Sequence, residues 1–417
     1  MTTLRPAASF WTAALVVVLA LWASAAPSVV YPLYAQQWGL TPTVTTTLFG
    51  VYPLTLVVVL TLFGGISDHI GRRASILLGV GFFILGALIF ALAPDIAWLY
   101  IGRILQGVGM SFSLGAASAA LAEFNPTGNP ARASSVTAIG TSAGLVGATV
   151  VGGALVQYAP APLHLTFWVL FTLIVIAFVL VWFMPKHAPY DSDQTTATAR
   201  SPWAPRPVAV PRDSRRIFTV SAFASLTQMC MAAIILSLGA TIAKDLIHTD
   251  NALVQGLILA ISSTVIGVIA FAFRPVPPRW SVVIAGLSGA IAILLFIPAA
   301  TLHSMPVYIV SQILGGTAIG FGVFGGIGLI HRYAPAHHRG RLISAFYLVG
   351  YIGQGTVSIL AGITATAVGL EQTIFIFAPV LAIIAAATVV VALALIRAPE
   401  KTTEPVARRR PAHKVGR

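Results

Sequence analysis

Charge is scarce in this chain. Asp, Glu, Lys and Arg make up 8% of its 417 residues, against about 25% in a water-soluble domain, so most of its surface cannot face water. Carboxylates are scarcer still. There are 11, and each lies in a loop, a tail or a helix end: positions 68, 95, 123, 191, 193, 213, 245, 250, 371, 400 and 404. None falls in the middle of an apolar run, which removes the usual carrier of a proton moved across a membrane. Lysine is nearly missing, with 4 residues against 20 arginines. The one cysteine, Cys230, sits inside an apolar stretch. That excludes a disulfide framework and a cysteine-based metal site, and leaves Cys230 the plain role of a small packed hydrophobe. Glycine-rich phosphate loops, zinc-ligand spacings and nucleophile triads are also missing. Enzymatic and ATP-driven chemistry therefore have no support, and no cofactor or metal is expected.

What the chain has in quantity is apolar length. Hydrophobic residues make up 57% of it, arranged in twelve runs, each near the ~18 residues that suffice to span a bilayer. The spacing predicts helices over about 12–34, 44–63, 74–93, 96–121, 133–157 and 163–184, then 217–243, 252–273, 280–300, 305–330, 341–366 and 370–396. Most are apolar all round, as lipid-embedded helices are. The expected fold class is an all-α membrane protein of twelve transmembrane helices. Arg5 precedes the first run, which exceeds the ~7–15 apolar residues of a signal peptide, so it reads as a retained span.

The basic residues report topology. Of 24 Lys and Arg, 22 fall in the N-terminus, the alternate loops on one side and the C-terminal tail. Lys244 lies on the other side, and Arg103 lies within a span. By the positive-inside rule both termini are cytoplasmic, and the net charge of +13 implies no nucleic-acid partner. The one long break, 185–216, holds prolines at 185, 189, 202, 205, 207 and 211, a composition that cannot bury a core. It divides the chain into a six-helix bundle at 1–184, a cytoplasmic linker at 185–216, a second six-helix bundle at 217–397 and a basic tail at 398–417. That tail either anchors topology or binds anionic lipid. The halves look like weak repeats. Tyr100-Ile101 and Gly107 match Tyr308-Ile309 and Gly315, while Arg132, Ser135, Gly144 and Gly153 match Arg341, Ser344, Gly353 and Gly362. Paired six-helix halves are one architecture of transporters with a midplane site.

Between the second and third runs lies Gly64-Gly65-Ile66-Ser67-Asp68-His69-Ile70-Gly71-Arg72-Arg73, the one charge-dense stretch of the first hundred residues. Gly64 lacks a Cβ and lets a neighbouring helix approach. The eleventh run starts on the same side, so its positive dipole end can face Asp68. Arg72 lies within reach of Glu123, the carboxylate at that end of the fourth run. Topology alone would need the arginines but neither Asp68 nor the glycines. The stretch resembles the loop motif G-x-x-x-D-[R/K/H]-x-G-R-[R/K] of the major facilitator superfamily, and helix number, linker and topology resemble that family over about residues 10–397. The resemblance implies that Gly64, Asp68, Gly71, Arg72, Arg73 and Glu123 form a cytoplasmic gate latch and do not bind substrate. The matching loop of the second half, Phe273-Arg274-Pro275-Val276-Pro277-Pro278-Arg279, keeps positive charge but has lost the carboxylate and the Gly-Arg pair.

Arg103-Ile-Leu-Gln106-Gly107-Val-Gly109 resembles the family's fourth-helix motif R-x-x-Q-G-x-G, which implies coupling or anionic contact for Arg103. The plainer reading is an arginine that snorkels to the outer interface beside Trp98 and Tyr100. In the fifth run, Gly144, Gly152 and Gly153 keep the outer glycines of the antiporter motif G-x-x-x-G-P-x-x-G-G, but Ala148-Thr149 replaces Gly-Pro. These glycines suit helix packing at least as well as antiport. The expected cavity residues are Tyr31, Arg103, Gln106, Gln228, Gln312, Tyr347, Tyr351 and Gln354, since polar groups in hydrocarbon face a cavity or another helix. Aromatics and neutral amides suit an amphiphilic or uncharged organic solute. The reading is a monomeric secondary transporter of the bacterial cytoplasmic membrane, working by alternating access and leaning to efflux. Its partners are a small-molecule substrate, membrane lipid and, if coupled, protons. The alternatives are a facilitator or importer of a neutral or anionic metabolite, and a non-transporting sensor that kept the fold.

Overall fold

The computed structural model describes residues 4–63, 66–185, 210–273, 275–335 and 338–396, with the side chains of Ser67, Asp68, Pro130, Ala131, Asp213, Leu395 and Ile396 left out. Twelve helices are long and apolar enough to cross a membrane. They are α1 (Pro6–Ala25), α2 (Pro42–Phe63), α3 (Arg72–Leu92), α4 (Ile96–Glu123), α5 (Pro130–Tyr158) and α6 (Leu165–Trp182), then α7 (Arg215–Ser237), α8 (Ala252–Ala272), α9 (Pro278–Thr301), α10 (Met305–Tyr333), α11 (Arg339–Val368) and α12 (Leu370–Ile396). Even α6, with 18 residues, is about 27 Å long at ~1.5 Å per residue, close to the hydrocarbon thickness. Polar punctuation separates the helices. Asp95 caps α4 by accepting from the Ala97 amide at 2.9 Å, and Asn251 caps α8 by accepting from Leu253 and Val254 at 2.9 and 3.2 Å. Gly369, at φ 89°, turns the chain between α11 and α12, in a region where a Cβ is costly.

Two predicted helices are broken. The first span is helical to Ala25, passes through a 3-10 turn at Ala26–Val29 and resumes at Tyr31–Trp38. Pro27 and Pro32 interrupt the hydrogen-bond ladder there. The seventh stops at Ser237 and resumes over Gly239–Asp245. The linker is also shorter than its composition indicated, because Arg212–Ser214 form a 3-10 turn and Arg215 already begins α7. Residues 186–209 and 397–417 of the predicted linker and tail lie outside the described residues.

The packing repeats. In the first half α1 packs on α4, α5 and α6, α3 on α4 and α6, and α2 on α4. Six helices later, α7 packs on α10, α11 and α12, α9 on α10 and α12, and α8 on α10. The two halves meet along two seams that obey the same relation, α2 on α11 and α5 on α8. Both termini emerge at one end of the bundle, here called the terminal end, since the number of crossings is even. The hydrogen bonds of the first seam lie toward the other, distal end, and those of the second run from that end to mid-span. Thr43 donates its amide to Thr366 Oγ1 at 2.9 Å, and Ser358 donates to the Thr46 carbonyl at 2.9 Å. On the second seam the Ala252 amide donates to Gln157 Oε1 at 2.7 Å, and Ser142 donates to the Ser263 carbonyl. A further bond joins Lys244 Nζ to Gln36 Oε1 at 3.3 Å.

Candidate functional site

Two groups of polar residues stand out, one at the terminal end and one in the core. At the terminal end, Ser67–Ile70 form a single helical turn, and Gly71, at φ 83°, redirects the chain into α3. Arg72 then sits at the start of α3, where Nη1 pairs with Glu123 and donates to the Ala119 carbonyl at 3.2 Å. Both members of the ion pair are 37% exposed, so it contributes at most about 1 kcal/mol to stability. Arg73 binds a different helix. It donates to the Trp182 carbonyl, and its guanidinium lies 5.8 Å from the Trp182 ring centroid. Gly64 and the side chain of Asp68 lie outside what the structure describes.

The core group is built around Arg103, whose burial is complete. This excludes the snorkelling arrangement, in which the charged head would reach the boundary. Nε donates to the Leu48 carbonyl of α2 at 3.2 Å, and Nη1 donates to the Ser24 carbonyl of α1 at 2.8 Å and to Gln106 Oε1 at 3.0 Å. Ser24 lies in the last turn of α1, where carbonyls lose their intrahelical partners. Three ring faces complete the shell, with centroids 5.8 Å (Tyr31), 5.3 Å (Phe49) and 5.3 Å (Tyr52) from the guanidinium carbon. Carbonyl dipoles and π faces replace the missing carboxylate. Arg103→Met is therefore expected to strand these acceptors and lower unfolding free energy by about 2–3 kcal/mol. Arg103→Lys, which keeps a charge for the rings, should lose less. Equilibrium unfolding of both variants in detergent checks the order.

The other predicted cavity residues are buried or half-buried within the bundle. Gln228 and Gln312 are 1% and 0% exposed; neither amide atom of Gln228 finds a hydrogen-bond partner, while Gln312 lies against the Tyr308 hydroxyl. Gln106 Nε2 and Gln354 Oε1 also lack a partner, while the Tyr31 hydroxyl meets the Arg103 guanidinium. Buried polar groups are normally satisfied, so these residues mark a polar band along the inner helices. Tyr347 and Tyr351 stack at 6.1 Å between centroids on α11, one turn before Gln354. The glycines of α5 serve close packing. A Cβ at Gly144 would lie 2.2 Å from the Val18 carbonyl oxygen, one at Gly152 2.9 Å from Val29 Cγ2, and one at Gly153 2.6 Å from the Ala252 carbonyl oxygen. Helix α5 thus presents glycine to α1 on one side and to α8 of the other half on the other.

A sequence profile of the Major Facilitator Superfamily matches residues 13–276 and 226–416. The chain belongs to this superfamily. Similar proteins include the uncharacterized MFS-type transporter EfpA of Mycobacterium tuberculosis, 39% identical over 108 residues, which is 25% of this chain and 20% of EfpA. The glucose transporter GlcP of Staphylococcus epidermidis is 31% identical over 30% of this chain and 27% of its own. The inner membrane transport protein YajR of Escherichia coli is 33% identical over 33% of this chain and 30% of its own. The matches thus span less than a third of each relative's length. Among solved structures, a bacterial homologue of the human lysosomal transporter Spinster in an inward-facing, unoccupied conformation aligns with a TM-score of 0.73 at 14% identity, covering 94% of this chain and 98% of that one. A mutant of the nucleoside transporter NupG gives a TM-score of 0.71 at 14% identity over 92% and 99%. These likenesses establish the fold: this superfamily member is a multi-pass membrane protein with the architecture of transporters.

Several residues of the site escaped the sequence reading. Phe49 and Tyr52 complete the shell of Arg103, and Trp182 holds Arg73. The threonine-rich start of α2, Thr41 to Thr47, was a visible signal of a polar contact, but nothing in it named α11 as the partner.

Proposed function

We propose that this protein moves a small organic solute across the bacterial cytoplasmic membrane by alternating access, in the direction of export, with the terminal end cytoplasmic. The observation that carries the reading is the set of buried amides at Gln106, Gln228 and Gln354, each with at least one atom that lacks a hydrogen-bond partner, inside a bundle whose halves touch along two symmetric seams. Neutral amides beside the aromatic rings of Tyr347 and Tyr351 suit an amphiphilic or uncharged solute. The positive-inside distribution of Lys and Arg supports the orientation. Seam contacts toward the distal end suit an inward-facing arrangement, with the formed pair Arg72–Glu123 beside the cytoplasmic gate. The likeness to GlcP favours the second reading, uptake or facilitation of a metabolite.

Flux in proteoliposomes tests this. With a panel of amphiphilic dyes and monosaccharides, saturable dye movement out of the compartment facing the terminal end is expected. No carboxylate lies in the middle of a described span, Glu123 and Glu371 standing at helix ends, so an imposed pH gradient should change the rate by less than about threefold, where a buried carboxylate carrier would make it decisive. Saturable sugar movement without dye movement would sink the export reading. A rate that rises tenfold or more with the gradient would sink the expectation of weak proton coupling.

A further inference from the structure

The repeat that builds the two halves places the loop between α2 and α3 in correspondence with the loop between α8 and α9. In the first half, the basic start of α3 faces a carboxylate at the end of α4, and Arg72 pairs with Glu123. In the second half, Arg279 stands in the first turn of α9, but the last turn of α10 carries His331 and Arg332 where α4 carries Glu123. Two like charges replace an ion pair. The helices still pack closely there, since a Cβ at Gly328 of α10 would lie 2.9 Å from Pro278 Cγ.

Between these arginines the surface is hollow. A cavity of about 200 Å3 is lined by Pro277, Pro278, Arg279, Arg332 and Tyr333, with no carboxylate in its walls among the described residues. Neither arginine forms an ion pair among the described residues. The cavity is smaller than the ~300–1,000 Å3 of sites for drug-sized ligands, which suits a compact group. Prolines frame it rigidly, and the start of α9 adds the positive end of a helix dipole. Its depth is fixed by aromatics, since Trp280 and Tyr333 are each 44% exposed, at the level where such rings mark the membrane interface.

We infer that this cavity binds a phosphate-type oxyanion that bridges Arg279 and Arg332, supplying the negative charge that Glu123 supplies in the first half. Guanidinium groups hold phosphate oxygens through paired N–H donors, and a bridging anion converts the repulsion between the two helix ends into a closed contact. The interfacial depth makes a phospholipid headgroup the nearest source, and free phosphate offers the same chemistry. The site lies apart from the core group, and binding to it does not depend on which solute is carried.

The test uses the full chain in nanodiscs. Titration with phosphatidylglycerol, with phosphatidylcholine as the neutral comparison, is followed by retention of lipid in native mass spectrometry. Arg279→Gln/Arg332→Gln should weaken phosphatidylglycerol binding about tenfold, whereas Arg341→Gln, an exposed charge on the same face, should change it less than twofold. Arg332→Glu rebuilds the first-half pair, and should remove the binding while raising thermal stability in neutral lipid above that of the native chain. Inorganic phosphate that competes at millimolar concentration supports the oxyanion site with a soluble source. Lipid binding that phosphate does not displace supports it with the headgroup as source. Equal losses on changing Arg341, or no binding of either probe, would overturn the proposal.

Discussion

Gly256→Ala is expected to reduce flux more than tenfold while leaving a folded protein in the membrane. A Cβ at Gly256 would lie 2.1 Å from the Thr149 carbonyl oxygen and 3.0 Å from its carbon, far inside the ~3.3 Å of the closest ordinary C–H···O contact. The obstructing atoms are backbone, so no rotamer change relieves them, and the seam between α5 and α8 must part by about 1 Å. Each half keeps its own packing, because the clash lies between them. The mutant should therefore fold but fail to close the distal end. Spin labels at the exposed residues Tyr158 and Val368 report the separation, which should lengthen in the mutant. Gly81→Ala is the control. Nothing lies within 4 Å of its Cβ position, and alanine favours the helix by about 1 kcal/mol. Native flux with an unchanged Tyr158–Val368 distance in Gly256→Ala would dispose of the seam as a moving part.

Asp68→Asn should come next in size, losing most of the flux without loss of inserted protein. The amide keeps the shape of the carboxylate but not the charge that the latch requires at the turn before Gly71. Arg72→Gln and Glu123→Gln should each cost less, about fivefold, because a pair exposed to 37% on both sides is screened by water and salt. The reversed pair Arg72→Glu/Glu123→Arg should recover part of that loss. Initial rates at low and high ionic strength separate these cases, since the effect on the exposed pair shrinks with salt. Asp68→Asn with the flux of the native chain would remove the carboxylate from the gate.

How far the sequence spoke depends on the range of each interaction. Twelve helices were legible because each is a long apolar run that satisfies its own backbone within one segment. The pairing of Arg72 with Glu123 was legible too, since both are charges at helix ends on one face. The breaks at Ala26 and Leu238 were not. Pro27 and Pro32 are plain in the first span, but apolar composition continues through them, and the seventh break has no proline at all. The burial of Arg103 was hidden for another reason. Its shell comes from Ser24 and Tyr31 on the first span and from Leu48, Phe49 and Tyr52 on the second, and only tertiary packing brings them to the fourth helix. One seam pairs residues 323 positions apart, as Thr43 with Thr366, and the other residues 95 apart, as Gln157 with Ala252, both beyond any local pattern.

The seams also have a mechanical meaning. Where glycine brings one helix against the backbone of another, there is no cushion of side chains to compress, and the surfaces behave as hard bearings. A bearing near one end of two long rigid bodies acts as a fulcrum. A tilt that costs almost no displacement there sweeps the opposite ends of the helices through the largest arc. The small polar contacts beside it, threonine to threonine and serine to carbonyl, then serve as detents that hold one setting of the lever without resisting its turn.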